Sequence, residues 1–395
     1  MEYNPFLPEV KQDPYPYYAE LRAERPVYKI EALGVYAISR YEDVAWALMH
    51  PELLSSEGFT NTQIHNEPTK MIIFTDPPDH ARMRSLVNRG FTPKIIADLE
   101  PRIRQVTREL IDDVAGRGEM DLIADLAMPL PVTIIAEIIG VDPAHKDDFK
   151  RWSDLVAEEF MNQLSEEQLK YHQEQMQGFG EFFEAAIAER RAHPRADLIS
   201  ALVQAETAHQ ALTPDEVVAF VVLLLVAGNE TTTNLLGNAL IALLEHPDQL
   251  ERLRGEPSLI PNAVEEALRY DAPVQFLLRK ATQDVELAGS VIPQGSLVAL
   301  LFGSANRDEQ RYTDADRFDI TRDASGHLAF GHGIHFCLGA PLARLEAKVV
   351  LEAILSRLPG LRQNGDAIEQ VGSLFLRGPR RLPLAFTPVA EPVAR

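Results

Sequence analysis

The residue types best suited to chemistry lie in one short segment, which runs from Phe330 to Gly339 and contains Cys337, the only cysteine of the chain. Glycines at 331, 333 and 339 allow unusual backbone angles or a close approach to a flat ligand. An amphipathic helix is predicted to follow, so the thiol would lie near a helix N-terminus, where the thiolate form is favoured. A thiolate can serve as a metal ligand or as a nucleophile.

Several interpretations of this segment compete. A dinucleotide-binding loop is rejected because Phe336 stands where the third glycine should be. A zinc site from His332, His335 and Cys337 would be crowded and would lack a fourth ligand. A catalytic cysteine nucleophile would need a base and oxyanion donors that the sequence does not place, and a small buried core cysteine also stays open. A haem thiolate needs one axial cysteine, glycines against the porphyrin and a basic group for a propionate, which His335 could supply.

A second unusual segment lies in the middle of the best-defined predicted helix. Thr213 and Glu216 form a capping box, and helical residues run from there to about Glu245. The middle of this helix reads Ala227-Gly-Asn-Glu-Thr-Thr-Thr233. A glycine inside a helix costs about 1 kcal/mol, and a buried charged Glu230 costs more. Such a violation is typical of a functional site, but hydroxyl bonds to helix carbonyls or a close helix approach would explain it as well.

Other elements of the fold must position these two segments. The rest of the sequence predicts a mainly α fold with small β-sheets. The β-rich parts are expected at about 26–40, 283–301 and 371–388, and the helical core at about 76–270 and 338–358. No Gly/Ser linker or fixed-period repeat interrupts the chain, so a single large domain over 1–395 is expected.

Charge and hydropathy limit the classes of partner. With 38 Lys+Arg against 59 Asp+Glu, the net charge is −21, which argues against a nucleic-acid partner. One cysteine excludes an internal disulfide. The first twenty residues lack the pattern of a signal peptide, and the longest apolar stretch, 217–228, is too short to span a bilayer. We therefore expect a cytoplasmic protein that binds neither nucleic acid nor a membrane.

Together these motifs resemble the cytochrome P450 family, of the bacterial soluble type. The family pattern Phe-Gly-x-Gly-x-His-x-Cys-x-Gly is met over 330–339, and the pattern Ala/Gly-Gly-x-Asp/Glu-Thr is met over 227–231. Glu266 and Arg269 match the Glu-x-x-Arg helix, and Arg317 lies in a matching Asp-Arg-Phe segment. The motifs follow the family order, and the resemblance covers essentially the whole chain.

The resemblance implies a cytochrome P450 fold, in which a long central helix lies over haem b and Cys337 binds the iron. Glu230 and Thr231 would be the acid–alcohol pair that supplies protons during oxygen activation. The network-forming residues of the family are matched by Glu266, Arg269 and Arg317, which would have a structural role. The cofactor-binding residues that the resemblance implies are His80, Arg84, Arg279 and His335 at the propionates, and Phe330, Gly331, Gly339, Ala227 and Gly228 elsewhere around the haem.

The implied activity is that of a haem-thiolate monooxygenase, which inserts one oxygen atom from O2 into a lipophilic small molecule by hydroxylation or epoxidation. A terpenoid, fatty-acyl, steroid or macrolide-like substrate would suit an apolar cavity. The substrate pocket is predicted from family position, although half of its residues could simply be core: Ile72, Ile73, Phe74, Leu224, Ala227, Val274, Phe276, Leu277 and Phe375.

Electrons are expected from NAD(P)H through a ferredoxin or a similar redox protein. This partner is predicted to dock near the basic residues Arg82, Arg89, Arg344 and Lys348. Two alternatives are a peroxide-driven haem peroxygenase and a non-enzymatic haem-based sensor. Glu230 and Thr231 argue against both, because neither alternative needs a proton-delivering pair.

Overall fold

The computed structural model describes residues 3–58, 62–64, 67–145, 148–149, 151–152, 155, 165–204, 212–365 and 368–389. Most of these residues are helical, which confirms the predicted fold class. The helices are Pro8–Gln12, Tyr15–Glu24, Tyr41–Met49, Asp79–Val87, Pro93–Asp98, Glu100–Ala115, Pro129–Ile139, Glu166–Ala192, Leu198–Gln204, Pro214–Glu245, Pro247–Gly255, Ile260–Tyr270, Phe302–Ala305 and Ala340–Arg357.

The β-structure is limited to small sheets. The largest has five strands in the order β1-β2-β10-β7-β3, where β10 pairs parallel with β2 and antiparallel with β7. A three-stranded sheet has the order β11-β12-β6, and two hairpins pair β4 with β5 and β8 with β9. The strand bounds are β1 Val27–Ile30, β2 Val35–Ile38, β3 Leu54–Ser55, β4 Thr62–Ile64, β5 Glu67–Thr69, β6 Glu119–Asp121, β7 Phe276–Ala281, β8 Val285–Leu287, β9 Ser290–Ile292, β10 Leu297–Leu301, β11 Arg362–Gln363 and β12 Pro383–Ala385.

Several strands lie outside the predicted β-rich parts, namely β3, β4, β5, β6, β7 and β11. The strand β7 lies before the 283–301 region, and within 371–388 the only regular strand of the described residues is β12. The remainder of that C-terminal region contributes isolated bridges, at Leu376 and Pro379. A single bridge orders an extended segment without forming a ladder, so the alternating sequence overstates the regular sheet.

Contacts divide the chain into two compact units. The first unit comprises Met1–Ser55, Glu100–Pro129 and Thr231–Arg395, and the second unit comprises Ser56–Leu99 and Leu130–Glu230. The single domain predicted for 1–395 stays a prediction.

The core of the first unit lies on both faces of its five-stranded sheet. Val298 and Leu300 of β10 belong to one buried apolar cluster, while Ala299 and Leu301 belong to another. This alternation follows from the two-residue period of a strand. The sheet is therefore buried on both sides at β10, and it holds the neighbouring β7 in place.

The core of the second unit includes an aromatic cluster. The ring of Trp152 lies 5.4 Å from that of Phe179, which lies 4.6 Å from the ring of Phe183. Buried Arg190 and Asp197 form an ion pair with an Nε–Oδ2 distance of 2.7 Å. The Arg190 guanidinium also donates to the carbonyl of Gly140 at 2.8 Å. Apolar packing and one internally satisfied ion pair thus stabilise this unit.

The central helix, Pro214–Glu245, begins and ends where the sequence predicts. The amide of Glu216 donates to Thr213 Oγ1 at 3.1 Å, and the Glu216 carboxylate accepts from the Thr213 amide at 2.9 Å. This reciprocal pair confirms the capping box. The whole helix has 32 residues and is long and apolar enough to cross a membrane, although 71% of its apolar window is buried. Length and composition alone are weak evidence for a membrane span, because a buried core helix has the same properties.

Candidate active site

The cysteine loop, Phe330–Gly339, is folded back on itself by its own backbone. The amide of Cys337 donates to the carbonyl of Phe330 at 2.9 Å, and the amide of Phe336 donates to the carbonyl of Gly333 at 3.1 Å. Gly331 and Gly333 have φ angles of +68° and +70°, which side-chain-bearing residues rarely adopt. The glycine spacing therefore sets the turn that presents the half-buried Cys337.

Gly333 has a second role that the sequence does not reveal. A Cβ atom at this position would lie 2.6 Å from the carbonyl oxygen of Leu48 and 3.2 Å from Sδ of Met49. The end of helix Tyr41–Met49 thus packs directly on the backbone of the cysteine loop. This glycine is required by a neighbouring helix as well as by its φ angle.

The helix Ala340–Arg357 starts immediately after the loop. The amide of Ala343 donates to the carbonyl of Gly339 at 3.0 Å, and Pro341 occupies the first turn. Cys337 lies three residues before this helix, so the positive end of the helix dipole favours its thiolate.

The donor set of the loop fits a haem iron better than zinc. Among the residues that the structure describes, no three His, Cys, Asp or Glu side chains cluster as a metal site, so the zinc interpretation gains no support. A haem iron, by contrast, needs only one axial thiolate from the protein. Cys337 is the residue that would hold it.

Two of the expected propionate partners lie in the first unit. Arg279 is buried on β7 opposite Val298 of β10, and its Nη1 donates to the carbonyl of Leu278 at 2.7 Å. His335 is half-buried in the short 3-10 turn of the cysteine loop, Gly333–His335. Arg279 is thus held on a paired strand, and His335 is held in a short turn.

The other two lie in the second unit, on helix Asp79–Val87. His80 is buried and Arg84 is half-buried, and their spacing of four residues places them on one face of the helix. Burial and the neighbouring Arg84 charge lower the pKa of His80, with Asp76 opposing them. The pair therefore offers a guanidinium and a neutral imidazole.

The unusual residues of the central helix have different explanations. A Cβ at Gly228 would gain tight contacts, 3.1 Å from Cδ1 of Ile135, so this glycine has a packing role. Thr233 Oγ1 donates to the carbonyl of Ala127 at 3.0 Å, which is a structural bond. Glu230 and Thr231 are half-buried, and Ala227 is exposed. Packing and one hydrogen bond thus explain Gly228 and Thr233.

Glu266 and Arg269 form a fully buried ion pair, with Nε–Oε2 and Nη2–Oε1 distances of 2.7 and 2.9 Å. Arg269 also donates to the carbonyls of Asn306, Ala315 and Arg317. Arg317 thus enters the network through its backbone, and its side chain is exposed. This differs from the sequence-based expectation that the Arg317 side chain is the second guanidinium of the buried network.

The guanidinium that does reach this network belongs to Arg322. Its Nε lies 3.2 Å from Oε1 of Glu266, which also accepts the amide of Asp319 at 2.9 Å. A sequence signal is present, since Arg322 lies only five residues after Arg317. Only the turn geometry of 317–322 decides which arginine points inward.

Three of the four predicted docking residues already have acidic partners. In the first unit, Arg344 donates to both carboxylate oxygens of Glu265, at 2.6 and 2.8 Å. Lys348 lies 3.6 Å from Glu100. In the second unit, Arg82 pairs with Glu216, and Arg89 is exposed. Local pairing therefore weakens the basic patches that the sequence suggests.

The predicted pocket residues form half-buried apolar groups within each unit. In the first unit, Val274 bridges to Leu376, and the rings of Phe276 and Phe375 lie 6.4 Å apart. In the second unit, Ile72 is buried in the turn Ile72–Phe74. The remaining members are Ile73, Phe74 and Leu277, which are half-buried, Leu224, which is buried, and Ala227, which is exposed.

Comparisons with known proteins identify the family and the fold of the chain. Residues 7–382 match the family model described as cytochrome P450. Cytochrome P450 107B1 of Saccharopolyspora erythraea is 42% identical over 94% of this chain and 95% of its own length. Steroid C26-monooxygenase of Mycobacterium tuberculosis is 40% identical over 94% of this chain and 93% of its own length.

A solved structure is similar over nearly its whole length. The crystal structure of CYP109E1 from Bacillus megaterium in complex with corticosterone superposes with a TM-score of 0.88, at 38% identity, and covers 96% of this chain and 99% of that chain. Family model, relatives and fold agree with the thiolate loop. The chain therefore belongs to the cytochrome P450 family, and it is a haem b-dependent monooxygenase of that family.

Proposed function

We propose that this monooxygenase hydroxylates or epoxidises a lipophilic small molecule, with steroids as the first class to test before terpenoids, fatty-acyl chains and macrolide-like compounds. Two observations together carry this proposal. Most predicted pocket positions hold half-buried apolar side chains, and a similar structure was solved in complex with corticosterone. A steroid-named relative at 40% identity supports the same class. Apolar side chains would bind such a ligand by removing its surface from water.

Haem b, when bound, supplies the iron chemistry that activates O2. In this proposal Cys337 holds the iron through its thiolate, while the helix that begins at Ala340 stabilises that negative charge. His80 and Arg84 on one helix face, and Arg279 and His335, bind the carboxylates of the cofactor as charged or hydrogen-bonding partners. Phe330, Gly331, Gly339, Ala227 and Gly228 are the further residues that would hold the cofactor.

Glu230 and Thr231 are proposed to manage protons. The carboxylate of Glu230 would take a proton from solvent, because it is half-buried, and pass it towards Thr231 Oγ1. The Thr231 hydroxyl would hold that proton beside the reacting oxygen. This role needs a side chain that exchanges with water without lying fully in it, which matches the half-buried state of both residues.

The substrate class can be tested by optical titration. Purified holoprotein should first give, after reduction and addition of carbon monoxide, the red-shifted Soret band of thiolate ligation. Corticosterone, a monoterpene, a fatty acid and a macrolide are then titrated into the ferric protein. The proposal predicts a saturable spectral shift with the steroid at lower concentration than with the others. If only a non-steroid class shifts the spectrum, the steroid proposal is wrong while the enzyme class stands.

Replacing Thr231 tests the proton-delivery proposal. Thr231→Ala should keep substrate affinity but divert reducing equivalents into peroxide, so that product formed per NAD(P)H falls by roughly ten- to a hundred-fold or more, in line with losing proton transfer. Product and peroxide are measured per NAD(P)H consumed. Thr233→Ala, which removes a structural hydroxyl of the same helix, is the matched control. Unchanged coupling in Thr231→Ala would contradict the assignment.

We further propose a cytoplasmic enzyme that receives electrons from NAD(P)H through a ferredoxin or a similar acidic redox protein. The expected docking residues remain Arg82, Arg89, Arg344 and Lys348. The existing ion pairs of three of them leave exposed Arg89 as the one expected to respond most.

Charge reversal tests this surface. Arg89→Glu should slow reduction of the haem by the ferredoxin at low ionic strength, while substrate titrations stay unchanged. The difference should shrink as salt is added, because exposed charges are screened. Arg252→Glu, at an exposed residue of helix Pro247–Gly255, serves as a control of equal charge change. Equal reduction rates in both variants and the parent protein would refute the docking proposal.

A further inference from the structure

We propose that Met49 is an oxidation site, at which hydrogen peroxide converts the thioether to a sulfoxide and thereby disturbs the cysteine loop. The starting observation is its exposure, which is 52%. The other methionines that the structure describes are less accessible: Met71, Met83 and Met120 are buried, and Met128 and Met176 are half-buried. Oxidation of methionine follows the exposure of the residue, so Met49 is the methionine of this described set that an oxidant reaches first.

The position of Met49 gives its oxidation a consequence. It is the last residue of helix Tyr41–Met49, and its Sδ lies 3.2 Å from the place that a Cβ on Gly333 would occupy. On the same side, the carbonyl oxygen of Leu48 lies 2.6 Å from that place. The backbone of the loop therefore has no room to move towards this helix end.

A shift of the Gly333 backbone would reach the thiol of Cys337 through a few residues of the same loop. It begins the turn Gly333–His335, and its carbonyl accepts the amide of Phe336, the residue before Cys337. The φ angle of +70° at Gly333 holds this turn in a left-handed conformation. A polar oxygen added at Met49 would replace an apolar contact with a larger group that seeks water, which disfavours the packed position of the turn.

The chemical step is balanced by peroxide alone. The Met49 sulfur loses two electrons and forms a bond to one peroxide oxygen, the O–O bond breaks, and the other oxygen leaves as water. Methionine sulfoxide reductase reverses the change with reducing equivalents. Reversibility separates this modification from destruction of the haem, which no reductase repairs. The inference rests on the family-level haem site and not on the proposed substrate.

The experiment treats the ferric holoprotein with hydrogen peroxide and follows three quantities over time. These are peptide masses for oxidised methionines, the carbon-monoxide band of thiolate ligation, and total haem as its pyridine complex. We expect the Met49 peptide to gain one oxygen before the other methionine peptides, and the thiolate band to fall faster than total haem. Methionine sulfoxide reductases A and B should then restore the lost part of the band.

Two variants make the result specific. Met49→Leu keeps the side-chain volume without a sulfur and should slow loss of the band several-fold, while Met128→Leu, at a half-buried methionine of the same unit, should not. The proposal is overturned if Met49 oxidises no earlier than Met128, if Met49→Leu loses the band as fast as the parent protein, or if the reductases restore nothing. Unaltered thiolate spectra of untreated Met49→Leu verify that the variant folds.

Discussion

Two buried carboxyl groups of the first unit, Glu266 and Glu346, differ in their hydrogen-bond and ion-pair partners. Glu266 is 0% exposed, and it binds Arg269 through two hydrogen bonds, accepts the amide of Asp319 and contacts Arg322. Glu346 is 1% exposed on helix Ala340–Arg357, and its Oε1 has no hydrogen-bond partner among the described residues. Burial raises the pKa of Glu346 to about 8.

Several charged groups on the helices packed around Glu346 are already paired with one another. On helix Glu100–Ala115, Glu100 and Arg104 bind each other and the outward-facing Lys348 and Glu352. On helix Ile260–Tyr270, Glu265 binds Arg344. Since no charge offsets its burial, Glu346 is neutral at pH 7. The comparison teaches that a buried carboxyl is kept either as an ion within a network or as a neutral acid.

The largest effect on stability is expected from breaking the buried ion pair of Glu266 and Arg269. Arg269→Leu removes the guanidinium that binds Glu266 and three backbone carbonyls, and leaves a buried carboxylate. The free energy of unfolding should fall by about 3–5 kcal/mol. Thermal and urea unfolding of the holoprotein, with haem release as a second signal, measure this loss.

The control for that variant is an exposed pair in the same unit. Arg252 and Glu256 are both about half exposed and lie 3.5 Å apart, so Arg252→Ala should cost only about 0–1 kcal/mol. If Arg269→Leu were no more harmful than Arg252→Ala, the network would not have the structural role assigned to it.

The neutral carboxyl group of Glu346 predicts that the stability of the protein depends on pH. The pKa of Glu346 is about 8 in the folded protein and near 4.5 when unfolded, so folding retains a proton between these values. Stability should therefore fall as pH rises through this range, by about 1.4 kcal/mol per unit at most. Glu346→Gln removes this loss, so its unfolding temperature relative to the parent should rise from pH 5 to pH 8. Parallel pH curves would show that Glu346 is not a neutral acid.

Glu265 should change the pH dependence of stability by a smaller amount and in the opposite direction. Burial alone would raise its pKa, but hydrogen bonds from His327 and Arg344 outweigh burial and lower that pKa to about 2. Its stabilising contribution is present above about pH 4.5 and is lost as pH falls towards 2. Because the pair is partly exposed, Glu265→Gln should cost only about 1 kcal/mol at pH 7.

This variant is measured beside Glu346→Gln across the same pH series. The stability difference between Glu265→Gln and the parent protein should shrink as the pH is lowered. The stability difference between Glu346→Gln and the parent should grow as the pH is raised. A Glu265→Gln effect that does not change with pH would contradict the assigned pairing with His327 and Arg344.

Local sequence signals predicted several features that the structure bears out. The capping box of Thr213 and Glu216 needs only residues three apart, so its bonds can be read from the sequence. The turn of the cysteine loop likewise depends on Gly331 and Gly333, whose φ angles are positive. The partners of charged residues could not be predicted in this way. Arg322 meets Glu266 across 56 residues of chain, and Glu265 meets Arg344 across 79.

The sequence by itself determined the cysteine loop, the central helix and the family to which the chain belongs, because these depend on residues a few positions apart. The tertiary structure decided which carboxyl groups are ions and which is neutral, which arginine enters the buried network, and which basic residues stay exposed. The physical reason is that burial and ion pairing depend on neighbours brought together by packing, and the free energy of a charge depends on those neighbours rather than on its place in the chain.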